Sequence, residues 1–217
     1  MKPFTTNFYR LRSSCSMRLF VCVSTFLWSV SAAAFFDGDV SLGRRSGSFE
    51  KDGQSKTLDS SVTSLAAHLD PIPLVPVSFG LRFYSENYQA TVATHGVKSL
   101  TSTAVVPEVT AWFPFGDLAP FARIGYTAIS TYAGTAEVTV ANTTTSGSVA
   151  YKSTGSRVTV GLNYSVLPLI SVTAAFERSM ETLSMTEGKI GSTDLKASSS
   201  DIKYNSNALL LGVKAGI

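Results

Sequence analysis

The sequence predicts an all-β fold, an eight-stranded antiparallel transmembrane barrel. Three observations lead there. Short segments alternate at period two, one face apolar and the other small and polar, which is the mark of a strand with two unlike sides. The connections between these segments alternate strictly between long polar ones and short ones rich in Pro or Gly, and seven such connections join eight strands. The composition agrees, with 44% apolar residues and only 15% charged, well below the usual quarter of a soluble protein.

The chain begins with a segment that does not fit the pattern. Lys2, Arg10, Arg12 and Arg18 form a basic stretch without an acid, and an apolar run from Leu19 to Val30 follows. Small residues then lead to Ala32-x-Ala34, so residues 1–34 read as a cleaved secretory signal peptide and 35–217 as the barrel domain. A largely apolar run of twelve residues falls short of the ~20 that a spanning helix needs. Met17 is an alternative start that leaves this reading unchanged. Cleavage removes Cys15 and Cys22, so the mature chain has no thiol for a disulfide or a metal. It also removes four of the 18 basic residues, leaving 14 against 15 acids, a balance that carries no nucleic-acid footprint.

The strands follow in order. The first two, 35–48 and 61–69, flank the polar stretch 50–60 and are noisy in their alternation. After the Pro-rich turn 70–76, the segment 77–85 sets Val77, Phe79, Leu81 and Phe83 against Ser78, Gly80, Arg82 and Tyr84. A long connection, 86–96, leads to a fourth strand over 101–113, interrupted by Pro107. Beyond the turn at 114–120, the segment 121–129 opposes Ala122, Ile124 and Tyr126 to Arg123, Gly125 and Thr127. The longest polar stretch, 132–155, precedes 156–166, where Val158, Val160, Leu162, Tyr164 and Val166 share one parity. The turn 166–170 leads to 170–177, and 181–201 leads to a last strand with Leu209, Leu211 and Val213 on one face. The polar faces carry Gly, Ser, Thr and Ala with isolated charges, not the many Lys and Glu of a wet surface. Small residues suit the crowded interior of an eight-stranded barrel, so the apolar faces look outward to lipid.

The signal peptide, the short and long connections and the phrase LDPIPLVPVSFGLRFY at 69–84 together resemble the small eight-stranded barrels of the Gram-negative outer membrane, the OmpA-like and OmpW-like families. The resemblance covers the mature chain and is one of pattern. It implies short periplasmic turns, long extracellular loops, both termini in the periplasm and export to the outer membrane. Outer-membrane lipid, lipopolysaccharide and the barrel insertion machinery are then the expected partners. Such barrels usually end on an aromatic residue, whereas this chain ends on Ile217, and no periplasmic domain is expected after it.

The inward parity collects the residues that matter most. Asp39, Arg45, Arg82, Glu108, Arg123, Arg157, Glu177 and Lys214 form a candidate charge network in the lumen. Buried charges must be paired, and the expected pairs are Arg82 or Arg123 with Glu108 and Arg157 with Glu177. Tyr84, Trp112, Phe113, Phe115, Phe121 and Tyr132 are read as interfacial aromatic girdles. His68 lies near a turn facing the lumen and His95 in a polar loop, and neither stands in a metal or catalytic constellation. No enzyme activity, cofactor or metal is expected. The stretches 132–155 and 181–201 are candidates for contact with a surface partner. The expected role is structural and interactive, with a lumen filled by polar and charged side chains. The alternatives are a narrow or lateral path for small solutes, and a secreted lipocalin-like barrel holding an apolar ligand.

Overall fold

Antiparallel pairing runs round the molecule and returns to its start. The computed structural model describes residues 36–70, 75–89, 97–140, 143–191, 193–194 and 201–216. The expected signal peptide and His95 lie outside these. The strands are β1 (Phe36–Lys51), β2 (Gln54–Leu69), β3 (Val77–Gln89), β4 (Val97–Trp112), β5 (Leu118–Thr127), β6 (Ile129–Val140), β7 (Thr143–Leu167), β8 (Ile170–Ile190), the two-residue β9 (Thr193–Asp194) and β10 (Ile202–Gly216). β5 and β6 follow one another in a single stave, and β1 pairs with both β2 and β10. Eight staves therefore close into a barrel, and closure removes the open edges that a flat sheet would expose.

The stretch 50–60, expected as a long loop, is mostly strand. Lys51 pairs with Gln54 across Asp52 and Gly53, whose φ angles of 52° and 77° make a two-residue type I′ hairpin. The stretches 132–155 and 181–201 are likewise largely strand, in β6, β7 and β8. Polar sequence here means a wall that continues beyond the lipid, not a wall that has stopped. At the other end the turns are tight: Phe115 and Leu118 exchange backbone hydrogen bonds across Gly116, which has a φ of 63°.

Pro107 does not interrupt β4, which passes through it and pairs Pro107 with Leu81 of β3. The irregularity falls on the neighbouring stave. Glu108 pairs with Gly125 and Val105 with Ile129, so four steps on that stave face three on β4. This is a β-bulge at Ala128, where one extra residue is tolerated beside a proline that has no N–H for the ladder. The bulge reverses the parity of everything after it. Arg123, Gly125 and Thr127 point inward before it, and Ser130 and Tyr132 point inward after it. Ser130 repairs the ladder, its Oγ accepting the backbone N–H of Ser153 at 2.6 Å.

Outside, the wall carries a continuous apolar belt. Leu42, Leu65, Phe83, Ile124, Ile129, Val160 and Leu211 are all exposed, Leu209 at 68% of its full area. On β7 the belt runs from Val158 to Val166. Nine residues at ~3.3 Å each and a tilt of ~40° give ~23 Å, close to the ~25 Å apolar band of membrane barrels. Inside, the buried side chains are predominantly polar or charged. That inversion answers the lipocalin-like alternative, which needs an apolar interior and a wet exterior.

The lumen charge network and its tyrosine cap

Inward positions on neighbouring strands lie opposite one another, so charges spaced by two along each strand stack into layers across the lumen. The lower layer centres on Arg82. Its Nη1 donates to Asp39 Oδ1 at 2.6 Å and to Ser64 Oγ at 3.0 Å, and its Nε to Glu108 at 3.1 Å. Arg123 approaches the same two acids, 3.2 Å from Glu108 and 3.5 Å from Asp39. His68 stands between Asp37, 2.8 Å from Nδ1, and Glu108, 2.6 Å from Nε2. Only the imidazolium can donate from both nitrogens. Gly80 makes room for this ring, because a Cβ there would lie 2.3 Å from the imidazole. At the mouth Lys214 closes the layer, 2.7 Å from Asp37 and 5.6 Å above the Trp112 ring.

The upper layer centres on Glu177, which is fully buried. Arg45 Nη2 donates to it at 2.6 Å and Arg157 Nη1 at 3.3 Å, while the Tyr84 hydroxyl donates to its other oxygen. Arg45 also approaches Glu86 at 3.3 Å, and Arg157 approaches Glu181 at 2.6 Å. Charge-assisted bonds of this kind are the strong ones, and they answer the desolvation of so many ions. Above them Tyr88, Tyr132 and Tyr204 meet with ring centres 6.1 to 6.5 Å apart, together with Leu100 and Leu183. Phe49 stacks on Tyr204 at 4.3 Å. Tyr132 and Ser153 bind Glu181 from above, at 3.1 and 2.6 Å.

Every stave contributes to these layers. All eight charged residues named from parity line the lumen, Lys214 at its mouth. The members that parity reading passed over are Asp37, Glu86 and Glu181, with Tyr88 and Tyr204 in the cap. Glu86 and Tyr88 continue the parity of Arg82 and Tyr84, and Glu181 that of Glu177. The signal was present, past the points where the strands were expected to end.

The girdle reading needs correction. Phe113 and Phe115 are exposed beside their turn. Tyr84, Phe121 and Tyr132 are buried in the lumen, and Trp112 packs against the inner cluster. Tyr84, Phe121 and Trp112 share the inward parity of their strands, so packing and not interfacial anchoring explains them. Tyr132 is turned inward by the bulge.

No family model matches the chain, and no curated protein matches it in sequence. Solved structures do. The fold is similar to that of Neisserial surface protein A, at 13% identity and a TM-score of 0.52, over 85% of this chain and 99% of that one. It is also similar to the outer membrane protease OmpT from Escherichia coli, at 11% identity and a TM-score of 0.54, over 84% and 96% of the two chains. The fold is that of the Gram-negative outer-membrane β-barrels. The apolar belt is the surface that such a barrel presents to lipid.

Proposed function

We propose that this protein is an occluded outer-membrane barrel with a structural and surface-presenting role. The observation that carries the reading is the two-layer network: charges and hydroxyls from all eight staves cross the lumen, and a tyrosine cluster covers them. A permeation path would need these groups to part from partners that they hold in a site of low dielectric. The extended tops of β6, β7 and β8 offer the surface on which a partner would dock. Protease activity is named for OmpT, a neighbour at 11% identity, and is a property of that protein. In this chain the buried acids and His68 are engaged with one another, which supports a role without catalysis.

The test is planar-bilayer conductance of the chain refolded in detergent, with a heat-dependent gel shift as the control for barrel formation. The wild type is expected to fold and stay silent. Discrete channels in the wild type, altered by Glu108→Ala or Arg157→Ala, would overturn occlusion and make solute transport the leading function.

A further inference from the structure

The outward residue that first breaks the apolar belt can be read on each stave. On five staves it is a neutral hydroxyl: Thr63, Ser85, Thr103, Thr131 and Ser156. The other three are adjacent, and they carry Arg44 on β1, Asn207 on β10 and Arg178 on β8. Arg44 follows Leu42 and Arg178 follows Phe176, both exposed members of the belt. Both arginines are exposed, and neither has an ion pair or a side-chain hydrogen bond among the described residues.

We infer that Arg44 and Arg178, with Asn207 between them, form a clamp for a phosphate of the anionic glycolipid in the outer leaflet, the lipid A class. The register supports the distance. Arg178 pairs with Asn207, and Arg44 pairs with Leu209 one pleat below. Two interstrand spacings of ~4.8 Å and two residues of rise put the arginine Cα atoms ~12 Å apart. Two guanidinium forks can converge on one phosphate from that separation, and Asn207 adds an amide donor in the gap. The height also fits. A phosphate at the top of the acyl region meets the first polar residues above the belt, and six of the eight staves offer no charge there. The clamp is therefore one-sided and would bind one lipid at a fixed place. Above it, Lys203 stands opposite Glu50, a pairing that does not compete for the same phosphate.

This inference rests on the outer-membrane orientation proposed above. The experiment expresses the full chain in a Gram-negative host, purifies it in mild detergent and measures bound lipid by native mass spectrometry. Added lipid A with two phosphates, dephosphorylated lipid A and inorganic phosphate serve as probes. Membrane fractionation and the heat shift report on the orientation reading separately. The expected result is one retained lipid A per barrel, lost about tenfold more readily in R44Q/R178Q and unchanged in K152Q, with no competition from inorganic phosphate. Equal retention by wild type and R44Q/R178Q would overturn the clamp, and so would equal loss in K152Q or equal binding of the dephosphorylated lipid.

Discussion

The Arg157 guanidinium lies 4.1 Å from the centre of the Tyr84 ring, while the hydroxyl of that ring donates to Glu177, the acid that Arg157 itself approaches at 3.3 Å. One tyrosine thus holds the cation by its face and the anion by its edge. The two contacts separate by substitution. Tyr84→Phe keeps the ring and removes a hydrogen bond to a buried charge, at a cost of about 1.5–3 kcal/mol. Tyr84→Ala also loses the stacking and opens a cavity, raising the cost to about 3–5 kcal/mol. Urea titration followed by the heat-shifted band should rank the wild type above Phe and Phe above Ala.

Glu177 joins both upper arginines, so its removal should be among the costliest single changes in the lumen. Glu177→Ala leaves Arg45 and Arg157 short of an anion in a buried site, and breaking a buried pair in this way costs about 3–5 kcal/mol. Glu177→Gln keeps the volume and loses the charge, and should fall between. Equal midpoints for all three proteins would show that Glu86 and Glu181 neutralise the layer alone.

Asp70 lies at the turn after β2, outside the membrane-spanning wall, with Oδ1 buried and lacking a hydrogen-bond partner among the described residues. Burial, and then the neighbouring Asp37, raise its pKa above the usual 3.8. Its ionised form is therefore disfavoured in the folded barrel. The penalty is present above the raised pKa and disappears as pH falls below 3.8. Asp70→Asn should stabilise the barrel at pH 7 and have no such effect at pH 3, as read from thermal midpoints at the two values.

The bulge at Ala128 predicts a frame effect. Deleting Ala128 removes the extra residue and restores plain alternation, so Thr127 still points inward, Ile129 outward and Ser130 inward. Three steps on that stave then face three on β4, and Ser130 stays on the inner face beside Ser153. The deletion should therefore still reach the heat-shifted form, whereas deletion of Thr131, which keeps the bulge and turns Tyr132 outward, should fail to reach it.

Much of the wall was legible because its two faces obey opposite chemistry. Val158 to Val166 and Leu209 to Val213 must meet lipid, and Arg82, Arg123 and Arg157 cannot. What stayed hidden has physical causes. Strand ends were expected where the apolar belt stops, yet pairing continues for several residues above lipid, where alternation no longer separates apolar from polar. Glu86, Tyr88, Glu181 and Tyr204 lie in that zone. Tyr132 was hidden for another reason: a single inserted residue shifts the parity, and no local composition marks Ala128 as the place. The charge pairs required no more than parity, but their division into two layers depends on register between strands far apart in sequence.

Arg45 stands on the first strand, and its anion Glu177 and hydroxyl partners Ser179 and Ser206 belong to β8 and β10, the last to be made. Until the seam closes, that cation lacks those partners. Insertion should therefore behave as an all-or-none zipper, in which the joint between the two ends of the chain gains its affinity only on completion. The same joint resists reopening from the side, since parting β1 from β10 would carry Arg45 away from β8 and into lipid.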